Sequence, residues 1–99
     1  MISRQWRGLA KASQAGAYIE HLRNETLPQL RRIAGFVDAT ILQRNCEPGV
    51  EFLIVTRWTS LAAIRKFAGN DPVSAVVPPE VQAMMIEYDR NVRHYEIVD

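Results

Sequence analysis

The sequence predicts an α+β domain in which a single sheet carries helices, and three observations lead there. The apolar periodicity changes along the chain in the order strand, helix, strand, strand, helix pair, strand. A Glu47-Pro48-Gly49-Val50 step joins two runs rich in β-branched and aromatic residues. Those runs carry apolar side chains on both faces, so the sheet they build has two sides to cover.

Ile2 to Ala10 alternates and places Ile2, Arg4 and Trp6 on one face of a first strand. Ser13 is the expected N-cap of a long amphipathic helix, on which Tyr18, Ile19, Leu22, Thr26, Leu30 and Ile33 recur at helical spacing. Pro28 should bend that helix near Leu27, and Gly35 should stop it. Phe36 to Arg44 and Val50 to Trp58 read as a β-hairpin closed by a type II turn. Thr59 or Ser60 then caps a short helix whose Leu61, Ile64 and Phe67 share a stripe, ended by Gly69-Asn70-Asp71-Pro72. From Glu80 a third helix puts Val81, Met84, Met85 and Tyr88 on one side and leaves Ile86 exposed, and Val92 to Val98 is the last strand.

This order is the split βαβ pattern of ferredoxin-like folds, a four-stranded antiparallel-type sheet in which the first and third strands are expected side by side and parallel. One sheet face meets the helices. The other is too apolar for water, and packing it on a second copy about a two-fold axis gives a dimeric α/β barrel.

Ninety-nine residues, 47% hydrophobic and 23% charged, make one domain spanning 1–99 with a core of its own. Twelve Lys and Arg against eleven Asp and Glu leave a formal charge of +1, with no bulk drive toward nucleic acid or anionic lipid. The lone Cys46 forms no internal disulfide and fits a reducing cytoplasm. No signal-peptide-like or membrane-spanning apolar run occurs, so no membrane partner is expected.

Trp6 and Trp58 stand near the ends of the first and third strands and suggest an aromatic-walled slot for a flat apolar ligand, bounded by Met84, Met85 and Tyr88. Parity separates His94 from Arg93 and Tyr95. No histidine has a ligand partner at metal spacing such as HxxxH, so no metal is expected. Nucleophile elbows, phosphate loops and dinucleotide fingerprints are absent.

His21 to Phe36 (HLRNETLPQLRRIAGF), Phe52 to Gly69 (FLIVTRWTSLAAIRKFAG), the Val76-Val77-Pro78-Pro79-Glu80 step and Val92 to Ile97 together resemble the antibiotic biosynthesis monooxygenase-type domain, over nearly the whole chain. The resemblance implies a homodimeric α/β barrel with a ligand cavity in each protomer. It implies a monooxygenase without cofactor, acting on a small aromatic or polyketide-type metabolite whose carbanion passes an electron to O₂. In that reading Trp6, Trp58, Phe67, Met84 and Tyr88 wall the substrate, Arg4 or Arg93 supplies positive charge, and His94 or Tyr95 relays the proton. The alternative is a small-molecule-binding or assembly module of the same fold. The haem-degrading branch is disfavoured, because Val77, Trp6 and Phe67 stand where the axial His, an Asn and a further Trp are expected.

Overall fold

The computed structural model describes residues 1–99 and has the expected α+β class. Five strands, β1 (Ile2–Lys11), β2 (Phe36–Cys46), β3 (Gly49–Trp58), β4 (Met85–Tyr88) and β5 (Arg93–Glu96), form one antiparallel sheet in the order β2-β3-β1. The fourth position is shared: β4 pairs with Gly8–Ala10 and β5 with Ile2–Gln5 of β1. In the break between them the Asp89 N–H donates to Arg7 O at 2.9 Å, and the Trp6 indole N–H donates to Asp89 O at 2.8 Å. The edge of β1 is thereby satisfied along both halves.

β1 and β3 are antiparallel, with Ile2 opposite Trp58 and Trp6 opposite Ile54, which corrects the parallel pairing expected from sequence. The helical crossover from β1 makes β2 its parallel relation. The hairpin then sends β3 back between the two, antiparallel to each.

The long helix consists of α1 (Ala15–His21), a π-helical turn at Leu22–Thr26 and α2 (Leu27–Arg31). Pro28 has no N–H for the carbonyl four residues back, and the ladder widens just before it, with the Leu27 N–H reaching Leu22 O. The irregularity therefore falls in the turn preceding Leu27. Ser13 lies in a 3₁₀ turn and makes no side-chain cap, whereas Ser60 caps α3 (Leu61–Ala68), its Oγ accepting from the Ala63 N–H at 3.1 Å. Gly35 adopts φ +98° and stops the first helical segment as expected.

Two further local expectations fail. The hairpin turn contains a cis Glu47–Pro48 bond and Gly49 has no positive φ, so it is not type II. Gly49 is required for space, since a Cβ there would run into Ala10 O. The third helix, α4, covers only Pro79–Met84, and the chain from Met85 becomes β4. Val81, Met84, Met85 and Tyr88 mimic helical spacing, but the unpaired edge of β1 recruits Met85 to Tyr88 as a ladder partner.

The helix-facing side of the sheet carries Trp6, Gly8 and Ala10 of β1, Ile41 of β2, and Phe52, Ile54 and Trp58 of β3, packed on Tyr18, Leu22, Leu30, Ile64 and Val81. A bulge at Val37 turns Phe36 onto this side, edge-on to Trp58 with ring centroids 5.3 Å apart. The opposite face presents Leu9, Leu42, Leu53 and Val55, but also the ion pairs of Glu51 with Arg7 and Arg44 and of Asp38 with Arg57. It is more charged at its ends than the sequence suggested. No helix is long and apolar enough to cross a membrane.

Candidate functional site

A mostly apolar cavity of about 90 Å³ lies between the helices and the sheet. Its floor is set by the register of β1 on β3. Arg4 and Thr56 are cross-strand partners, and the indoles of Trp6 and Trp58 stand diagonally to either side. Trp6 leans over Gly8, where a Cβ would meet the indole and Met85 Sδ, and packs near Tyr18 at 6.3 Å and Tyr88 at 6.4 Å. Trp58, fully buried, stacks on Phe67 at 6.2 Å and 27° and donates its indole N–H to Thr56 Oγ1 at 2.9 Å. Tyr18, His21 and Leu22 come down from the first helix, and Val76 to Pro78 close one side.

Arg4 is the only charged side chain among the sixteen lining residues apart from the titratable His21, and it is 5% exposed. It forms no ion pair. Its Nη1 donates to Pro72 O and to His94 Nε2, the latter at 3.0 Å, and its Nη2 donates to Ser74 O at 3.1 Å. The Phe67 ring lies 5.9 Å from its guanidinium carbon. Burial lowers the guanidinium to about 10, which leaves it charged at neutral pH. Three of its five N–H groups are used. No sealed side-chain N or O in the protein lacks a partner, so Arg4 Nε, which has none, is not sealed off, and Arg4 lines the cavity. The same holds for the hydroxyl of Tyr18, 3% exposed, whose ionisation burial pushes well above its ordinary range, so that it is a neutral donor.

Of the residues selected from sequence, Arg4, Trp6, Trp58 and Phe67 line the cavity. Met84 and Tyr88 do not: Met84 ends α4 against the Tyr18–Phe52 cluster, and Tyr88, on β4 and not on a helix, backs the Trp6 ring from outside. His94 stands behind Arg4. Because an arginine only donates, His94 Nε2 must accept, which puts the imidazole proton on Nδ1. Desolvation, then the Arg4 charge, lower its pKa. Arg93 and Tyr95 are exposed on β5, opposite Gln5 and Ser3, and point to the other face of the sheet, away from the cavity. Strand alternation fixes this, since only residues in phase with Arg4 turn inward.

Sequence reasoning passed over Tyr18, Thr56 and His21. Glu25 stands four residues after His21 and shares its side of the helix, a pairing that a search for HxxxH spacing does not reveal. His21 Nδ1 lies 2.7 Å from Glu25 Oε2 and 3.8 Å from Glu80 Oε1 of α4. These ligand-type atoms gather within 4.8 Å, which corrects the view that no carboxylate partners a histidine here. Both carboxylates are more than half exposed and one already occupies Nδ1, an arrangement that orients an imidazole and does not build a cation cage.

No family model matches the chain, and no curated protein matches it in sequence. Solved structures do match in fold. An antibiotic biosynthesis monooxygenase superposes with a TM-score of 0.72 at 17% identity, covering 100% of both chains. The N63A mutant of SnoaB, a cofactor-independent oxygenase from Streptomyces nogalater, gives 0.69 at 17% identity over 99% of this chain and 93% of that one. MhuD, a haem degrader from Mycobacterium tuberculosis, gives 0.60 at 17% identity over 99% and 96%. The chain thus has the fold of the antibiotic biosynthesis monooxygenase-type domains.

Proposed function

We propose that this chain is a cofactor-free oxygenase of a small aromatic or polyketide-type phenol or enol, working as a cytoplasmic homodimer. One observation carries the reading: a lone buried guanidinium, without a counter-ion and with N–H groups to spare, lines an aromatic-walled apolar cavity. Keeping a charge out of water costs several kcal/mol, and an anionic oxygen formed in the cavity offsets that cost. The cofactor-independent oxygenase among the similar structures supports the same chemistry.

The substrate lies between Trp6 and Trp58 with its oxygen toward Arg4 and Tyr18. Loss of the O–H proton gives an enolate whose charge the Arg4 guanidinium and Tyr18 O–H stabilise in a mostly apolar site. The electron-rich carbanion form passes one electron to O₂, and the resulting superoxide and substrate radical join in a C–O bond. The peroxide anion takes back the proton lost at the start, and the hydroperoxide then loses water to leave a carbonyl, so that a methylene plus O₂ gives a ketone plus H₂O. Val77, which stands in the cavity wall where the haem-degrading branch is expected to place its axial His, offers iron no ligand.

The test is oxygen uptake with a series of small quinols and enolisable ketones under ¹⁸O₂. One label should enter the product and one should enter water. Uptake no faster than uncatalysed autoxidation across the series, with the compounds still bound, would reassign the domain as a binding module.

A further inference from the structure

We propose that His21, held by the Glu25 carboxylate, is the catalytic base that takes the substrate proton. The inference rests on the phenol or enol reading above and supplies the group that reading lacks. His94 is not available for the task, since its Nε2 lone pair is engaged by Arg4 at 3.0 Å. Tyr18 is a neutral donor. His21 is the remaining titratable group in the cavity wall, and its side chain is 91% withdrawn from solvent.

Its two ring nitrogens are in different surroundings. Nδ1 stands 2.7 Å from Glu25 Oε2, with Glu80 Oε1 at 3.8 Å beyond. Two bare acceptors at that separation repel, so the proton of the neutral ring resides on Nδ1 and the lone pair on Nε2. Nε2 has no hydrogen-bond partner and is not sealed off, which leaves it free to accept. The local chain produces this placement. His21 ends α1 and Glu25 lies in the π turn that Pro28 imposes, so the pair at i and i+4 straddles the junction, and Glu80 arrives from the first turn of α4. In the step proposed, the substrate O–H bond breaks and an N–H bond forms at Nε2. The imidazolium is then stabilised by Glu25 and Glu80 while the oxyanion rests on Arg4. No electron moves. Glu25 acts as a positioning residue: it touches His21 and not the substrate.

3-Nitrophenol, a neutral phenol at pH 7 that turns yellow as its anion, tests the step without oxygen and so independently of any oxygenase activity. The wild-type protein in weak buffer should bind it as the yellow anion with almost no proton released, because the proton stays on His21. Yellow anion with one proton released per probe bound would overturn the assignment, as would binding in the colourless form. His21→Gln should either bind the colourless phenol or release the proton, and Glu25→Gln should lower the ratio of yellow to colourless bound probe roughly tenfold, through loss of a charge-assisted hydrogen bond. Nitrogen-15 NMR of the unaltered protein guards against folding defects in the variants. It should find the His21 proton on Nδ1, and a proton on Nε2 of the neutral ring would refute the proposal. Colour that is lost on chelation and restored by a divalent cation would likewise refute it, by making His21 a metal ligand.

Discussion

At the scale of single residues, the two tryptophans that the sequence grouped together have different duties. Trp58 is fully buried among Leu30, Ala63, Ile64, Phe36 and Phe67 and is bonded through its indole N–H, whereas Trp6 is only partly buried. Trp58→Ala should therefore destabilise the protein by about 3 to 5 kcal/mol in urea unfolding. Trp6→Ala should cost less and should instead widen the cavity. Arg4 has the complementary signature. A charge-assisted hydrogen bond contributes about 1.5 to 3 kcal/mol, so Arg4→Met should weaken binding of benzoate by roughly tenfold or more while leaving benzyl alcohol nearly unaffected. Equal losses for both ligands in titration calorimetry would mean that Arg4 merely supports the Pro72–Ser74 loop. Arg4, Trp6 and Trp58 were legible in the sequence because a strand has a period of two and all three share one face. His21 and Tyr18 were not, since the helix face that meets a cavity is decided by how the helix docks, and the π turn shifts the phase of everything beyond it.

At the scale of elements, the strands and the hairpin followed from local pattern, while β4 did not. Its four residues satisfy helical spacing and strand propensity equally, and the deciding term was the unpaired edge of β1, which no local window contains. The parallel reading of β1 and β3 failed for a similar reason, because topology and not periodicity sets strand direction. The sheet also carries a charge arrangement with a measurable consequence. Glu51 on β3 accepts from Arg44 of β2 and Arg7 of β1, and these hydrogen bonds hold its carboxyl at about 2. A carboxyl lowered in the folded state contributes stability that is present above its ordinary value of 4.5 and disappears as pH falls toward about 2. The urea midpoint of the wild type should therefore drop across that interval more steeply than that of Glu51→Gln. Parallel curves for the two proteins would show that the three strands do not depend on this junction.

At the scale of the whole molecule, the unresolved balance is on the sheet face turned away from the helices. Leu53, Val55 and the exposed Leu42 form its centre, Tyr95 and Ile86 are exposed toward one side, and ion pairs of Arg7, Glu51, Arg44, Asp38 and Arg57 ring the apolar part. An apolar centre with a charged rim is the anatomy of a protein interface, and a two-fold axis lets one such face cover its own copy. The cavity lies on the opposite side of the sheet, so pairing would close the sheet without blocking the ligand. Light scattering should give twice 11.3 kDa at micromolar concentration. Val55→Asp is the decisive variant. Its cross-strand partners are Gln5 and Thr40, neither of which offers a compensating charge, so an aspartate there would be desolvated on pairing and should leave a folded monomer. Ile86→Lys, at the side of the face, should weaken association less. A wild-type protein that stays monomeric at these concentrations would mean that water tolerates this face as it stands, and the homodimer would have to be abandoned while the cavity and its proposed chemistry, which belong to one chain, would stand.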